Sequence, residues 1–153
     1  MSNYQNETHV YVYTKKFLRD NGWILIAGEP AGGSDELPRV EIRDRLNTNK
    51  GSKGSYKIDL IGVKGDLLLL TEIKTKFNYT DIEKLNEVVS VRLQDLKDAL
   101  FERLKLDVSN KKIIKSISVS NLGENTVPGD FVCLEVISDD NIRVINESLF
   151  LEN

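Results

Sequence analysis

A chain of 153 residues with 40% hydrophobic content is long enough for one core and too short for two ordinary domains, so residues 1–153 are read as a single domain. A net charge of −3 excludes a protein that coats nucleic acid by bulk charge. The single cysteine, Cys133, excludes an intrachain disulfide and fits a reducing, cytoplasmic setting; no signal-peptide pattern and no membrane-length apolar run is present, so no membrane partner is expected.

The first predicted element is a helix from Glu7 to Asp20, with Val10, Tyr13, Thr14, Phe17 and Leu18 at helical spacing and Asn21-Gly22 as its stop. Glu7 falls on the inward stripe at the helix N-terminus. It either complements the helix dipole or adds a carboxylate to a site elsewhere. His9 is the only histidine, has no metal-ligand partner at suitable spacing, and is expected to be structural or exposed. A short strand follows at Trp23 to Ala27, then the glycine- and proline-rich loop GEPAGGSDELP, then a possible strand from Pro38 to Arg43. The segment Leu46 to Tyr56 has almost no apolar residue and reads as a flexible basic loop. Its Lys50 and Lys53 are candidates for phosphate contact, although a merely mobile linker accounts for the segment as well.

Tyr56 to Lys76, YKIDLIGVKGDLLLLTEIKTK, holds two apolar runs around Val63-Lys64-Gly65-Asp66, where Gly65 can take positive φ; the pattern predicts a β-hairpin. With Lys64 and Gly65 as loop residues, Asp59 lies opposite Leu70 and Lys57 opposite Glu72. One face then carries Lys57, Asp59, Ile61 and Val63 beside Leu68, Leu70, Glu72 and Lys74, and the other carries Ile58, Leu60, Leu67, Leu69, Thr71 and Ile73. Asp59 and Glu72 become diagonal neighbours at the open end of the hairpin. Two carboxylates that close repel each other and lose hydration, and a divalent cation compensates both effects. Hard oxygen ligands suit Mg²⁺, with Mn²⁺ as a substitute, and Lys74 on the same face could reach a scissile phosphate. The alternative is a pair of surface strands with solvated charges and a Lys57 to Glu72 ion pair.

Asp59 followed, after a hairpin, by Glu72-Ile73-Lys74 resembles the PD-(D/E)XK nuclease superfamily, with Ile58 where that signature often has proline. The resemblance implies a restriction-endonuclease-like α/β sandwich with a mixed central sheet flanked by helices. It also implies metal ligation by Asp59, Glu72 and the Ile73 carbonyl, and Lys74 as the residue that positions or activates water. A first-helix glutamate near the metal occurs in members of that superfamily, which is the ground for adding Glu7 to the metal set.

Beyond the hairpin, Thr80-Asp81-Ile82-Glu83 has the pattern of a capping box. It opens one predicted long helix to about Leu106, with an apolar stripe from Ile82 through Leu85, Val88, Leu96 and Leu100 to Leu104. Arg92 and Gln94 lie midway along it and could reach phosphate, though a solvated face explains each alone. Strands are predicted at Ile113 to Val119, Phe131 to Ile137 and Ile142 to Ile145. Between Arg39 and Lys76 nine basic residues face five acidic ones, a local excess of four around the candidate site; Arg43, Lys57 and Lys76 join Lys50, Lys53 and Gln94 as candidate nucleic-acid contacts. The expected activity is metal-dependent phosphodiester hydrolysis by a DNA endonuclease, with RNA or branched junctions as other substrates. A catalytically silent binding or assembly subunit is the rival from another class. With so little chain left for recognition, a homodimer or a recognition subunit would supply specificity.

Overall fold

Long apolar strands organise the chain. The computed structural model describes residues 6–30, 35–43 and 55–151. Helix α1 (Glu7–Asp20) is followed by strands β1 (Ile24–Gly28), β2 (Glu41–Ile42), β3 (Tyr56–Lys57), β4 (Leu60–Lys64) and β5 (Leu67–Lys76). Helices α2 (Tyr79–Ser90) and α3 (Leu93–Leu104) come next, then β6 (Lys112–Asn121), β7 (Phe131–Ser138), β8 (Asn141–Ile145) and a 3-10 turn at Glu147–Phe150. Six strands form one mixed sheet in the order β1-β4-β5-β6-β7-β8, and β2 and β3 form a separate ribbon. The pairs β5/β6 and β6/β7 are parallel and the others antiparallel. The expected α/β architecture, a mixed sheet flanked by helices, is present. Among the described residues no helix is long and apolar enough to cross a membrane.

The run Leu67 to Leu70 does not alternate because β5 lies inside the sheet with both faces covered. On one face Leu68, Leu70, Ile117 and Phe131 pack with Ile82, Leu85, Leu96 and Leu100 of α2 and α3. On the other, Leu60, Leu69, Ile73 and Val132 pack with Val10, Tyr11 and Leu18 of α1. Cys133 is buried in the first of these layers, as a core residue.

Helix α1 has the expected bounds and is capped by Asn6, whose side chain accepts from the His9 N–H at 2.9 Å. His9 itself is exposed and stacks on Tyr13. The buried stripe is rotated from the expected one: Tyr11 and Lys15 turn inward, while Tyr13 and Phe17 are only partly buried. The cause is a polar clasp, in which Lys15 Nζ lies 2.7 Å from Asp35 and 3.0 Å from Glu36, and the Tyr11 hydroxyl donates to Asp35 at 2.9 Å. Tyr11 also lies against Gly28, where an added Cβ would collide with the phenol oxygen and come within 3.1 Å of Leu37 Cδ1. Gly28→Ala is therefore expected to lower stability by about 1–3 kcal/mol, read as a lower denaturant midpoint with unchanged slope.

Three expectations are corrected here. The hairpin loop is Gly65-Asp66, since Lys64 pairs with Leu67, and the register is displaced by two residues from the one expected. Gly65 takes φ 57 as expected, but at the first loop position, an arrangement in which glycine leads the turn. The single long helix is two helices, with Ser90 closing α2 and Arg92 capping α3. The β-branched run Val88, Val89 and Val91 weakens the helix locally, and the Ser90 hydroxyl turns back to the Asn86 carbonyl at 2.6 Å. Arg92 fixes the break: it is 6% exposed, donates to Asp95 at 2.9 Å and stacks over the Tyr56 ring. The start of α2 is capped by Asn78, which accepts from the Thr80 N–H at 2.9 Å, rather than by Thr80.

Candidate active site

A displacement of two residues preserves the faces, so Ile61, Val63, Leu68 and Leu70 still share a side. It also brings Asp59 nearer Glu72 than the diagonal. The ladder between β4 and β5 ends at Leu60 opposite Thr71, and the chain bends at Asp59. The bend moves Ile58 into the layer of Ile61 and Leu70, away from its expected place beside Leu60. It also leaves the backbone of β5 without a strand partner on that side, and the two acids fill the gap. Asp59 Oδ2 accepts from the Ile73 N–H at 2.8 Å, and Glu72 Oε2 accepts from the Asp59 N–H at 3.0 Å. Because a residue in a strand directs its N–H and C=O to the same side, the Ile73 carbonyl also faces the side where Asp59 sits.

Helix α2 supplies two groups that face these acids. Lys84 Nζ lies 2.9 Å from Glu72 Oε1 and donates at 2.7 Å to the Lys57 carbonyl. Asp81, 6% exposed, accepts from Lys74 Nζ at 3.1 Å. Asp59, Glu72, Lys74, Asp81 and Lys84 thus form one cluster of three carboxylates and two ammonium groups.

Burial dominates the electrostatics. The Asp59 carboxyl is pushed up to about 7, first by burial and then by the charge of Glu72, against the opposing pull of the Ile73 N–H and the two lysines. Glu72, 2% exposed, is also held above the ordinary range by burial, which outweighs Lys84. For Lys74 burial acts downward, but the charge and hydrogen bond of Asp81 and the charges of Glu72 and Asp59 together hold its ammonium above the ordinary value. Three carboxylates stand against two ammonium groups in the cluster, which leaves it short of one positive charge. Asp59 Oδ1 receives no hydrogen bond from the described residues, and the Ile73 carbonyl points to the same side. Two carboxylates and one carbonyl suit a cation that takes few protein ligands and keeps solvent or phosphate oxygens, as Mg²⁺ and Mn²⁺ do.

The other expected site residues divide clearly. Glu7 is half-buried in the first turn of α1 and does not join Asp59 and Glu72: among the described residues no three acids, histidines or cysteines stand close enough to share a metal ion. Lys57 is exposed beside the site, and Lys76 is exposed at the end of β5. Arg43 pairs with Glu41 at 3.2 Å, and Gln94 bonds Asp98 at 2.9 Å on the outer side of α3. Arg92 is buried in the helix break and offers nothing to phosphate. Lys50 and Lys53 lie outside the described residues.

Asp81 and Lys84 had no place in the sequence reading of the site. Their spacing, three apart and next to the inward Ile82 and Leu85, was a usable signal. By sequence alone Asp81 is only one position of the capping-box pattern, and Lys84 is one charged residue on an amphipathic helix. Neither a protein-family model, nor a curated protein, nor a solved structure matches the chain. Function is accordingly read from the residues of the site.

Proposed function

We propose that the chain is a divalent-metal-dependent phosphodiesterase, of which a DNA endonuclease is the leading form. The observation that carries this reading is the reciprocal Asp59 and Glu72 pair, with Glu72 buried and Asp59 half-buried, short of positive charge, and bordered by Lys74 and Lys84. Asp59 and Glu72, with the Ile73 carbonyl, would hold Mg²⁺ or Mn²⁺. A bound cation supplies Lewis acidity at a phosphate oxygen and offsets charge that develops there. The Lys74 ammonium, held by Asp81 at 3.1 Å, is fixed in direction and acts as a hydrogen-bond donor to the phosphate or to the attacking water. The buried Ile73 side chain anchors the strand beneath both acids. Cys133, buried and unpaired, suits a reducing compartment such as the cytoplasm.

A second reading, a binding or assembly subunit without catalysis, is favoured by one observation. Lys84 on Glu72 and Lys74 on Asp81 neutralise part of the cluster from within. A cleavage assay separates the two. With Mg²⁺ or Mn²⁺ the purified chain is expected to cut at least one of linear, nicked, branched or single-stranded DNA, or RNA, and the cut substrate names the class. No cleavage of any of these with either metal would leave the second reading standing.

A further inference from the structure

We propose that the cleft between the β2/β3 ribbon and α3 binds the phosphodiester backbone of a nucleic-acid strand that runs from the Asp59 and Glu72 site, and that it does so without reading bases. This rests on the hydrolytic reading of that site. The cleft measures about 710 Å³, within the size range of ligand sites, and Ala99 is among its lining residues. Four cationic side chains reach it from two walls: Arg39, Arg43 and Lys57 from the ribbon side and Arg103 from the last turn of α3.

Three acids, Glu41, Asp95 and Glu102, line the same cleft. Glu41 pairs with Arg43 at 3.2 Å and accepts from the Ser55 hydroxyl at 2.8 Å, and Asp95 pairs with the buried Arg92 at 2.9 Å. Lys57 and Arg103 are exposed, and neither has a hydrogen bond or ion pair from its side chain among the described residues. Arg39 pairs with Glu29 at 3.3 Å, and Lys57 stands opposite Glu41 across the ribbon and, after the Ser55 hydroxyl and Arg43, helps to lower its carboxyl. Four cations against three acids among the described residues leave the lining of the cleft with an excess of one positive charge, carried at its exposed positions by Lys57 and Arg103. Lys57 also connects it to the site, because its carbonyl accepts from the same Lys84 ammonium that contacts Glu72. The Lys57 backbone thus lies two hydrogen bonds from Glu72, and a strand held in the cleft would pass from Lys57 toward the site. No aromatic side chain stands among the described residues that line it, so there is no platform on which bases could stack. Contacts of this kind position a strand and carry no sequence information.

The test is fluorescence anisotropy with fluorescein-labelled oligonucleotides of mixed sequence, single-stranded and duplex, in EDTA so that nothing is cut. Lys57→Gln and Arg103→Gln together are expected to weaken binding about tenfold or more and to reduce the slope of log K against log salt by about two, one for each lost phosphate contact. Changing the base composition is expected to alter wild-type affinity less than about threefold, well inside the cost of one lost base-specific contact. An unchanged salt slope in the double variant, or a strong base preference abolished by it, would overturn the proposal. Both positions are exposed, and an unchanged melting temperature shows that the variant is folded. Hydrolysis of bis(p-nitrophenyl) phosphate by the wild-type chain, a diester too small to span site and cleft, reads the hydrolytic site separately. Hydrolysis with an unchanged salt slope would reject the cleft alone, and an altered slope without hydrolysis would reject the hydrolytic reading alone.

Discussion

Alanine at Asp59 or Glu72 is expected to abolish divalent-cation binding and phosphodiester cleavage together, whereas alanine at Lys74 should leave metal affinity unchanged or higher and lower single-turnover cleavage by about 10²-fold or more. The difference follows from what each side chain does. Asp59 and Glu72 supply oxygen ligands, and each also holds the other's backbone, through the Ile73 N–H and the Asp59 N–H. Removing either takes away a ligand and loosens its partner. Lys74 ligates nothing, and its loss relieves the cation of a like charge. Asp81, left without its partner, adds negative charge nearby, which favours the cation further. Calorimetric metal titration beside single-turnover cleavage reads all three variants. Wild-type cleavage by Lys74→Ala would remove the lysine from the mechanism.

The second large effect is on pH. With its folded-state value raised from 3.8 to about 7, Asp59 contributes stability that is fully present below pH 4 and is lost as pH rises through 7. At about 1.4 kcal/mol per pH unit the raised value corresponds to about 4 kcal/mol, of which Asp59→Asn should recover on the order of 2–4 kcal/mol at pH 8 in metal-free protein. Glu72, raised in the same direction, adds to the slope. The depressed carboxyls of Asp35, Glu36, Glu41, Asp107 and Asp130 act oppositely and in the acid range, so the window from pH 5 to pH 8 belongs to Asp59 and Glu72. Cation binding then requires loss of the Asp59 proton below pH 7, and affinity should rise about tenfold per pH unit up to that point and level off above it. Thermal melts from pH 5 to pH 8, with and without Mg²⁺, check both parts. A metal-induced rise in Tm that is larger at pH 5 than at pH 8 would reverse the assigned sign.

Much of this arrangement was legible in the sequence because local periodicity determined it. The bounds of α1 follow from its apolar spacing and from Asn21-Gly22, and the faces of the hairpin survive because an even register shift preserves them. The register itself turned on whether Gly65 came first or second in its loop, which glycine's freedom leaves open. The break between α2 and α3 carries neither glycine nor proline. Its fixing contacts are long-range, from Arg92 to Tyr56 and, at 3.5 Å, to the Ile42 carbonyl. The acid pair was found because carboxylates interrupt apolar strands. Asp81 and Lys84 were not, because a charged residue on an amphipathic helix is ordinary until tertiary packing turns it toward another charge. The burial of Lys15 is illegible in the sequence for the same reason, since only Asp35 and Glu36 make it tolerable.

The most direct test of a cation site at this hairpin is a Mn²⁺ binding isotherm at pH 8, with free ion counted by electron paramagnetic resonance, on the wild-type chain and on Asp59→Ala. One ion bound per wild-type chain and none on the variant is the expected result. No binding by the wild type, or equal binding by Asp59→Ala, would contradict the assignment of Asp59 and Glu72 as a metal-dependent hydrolytic site.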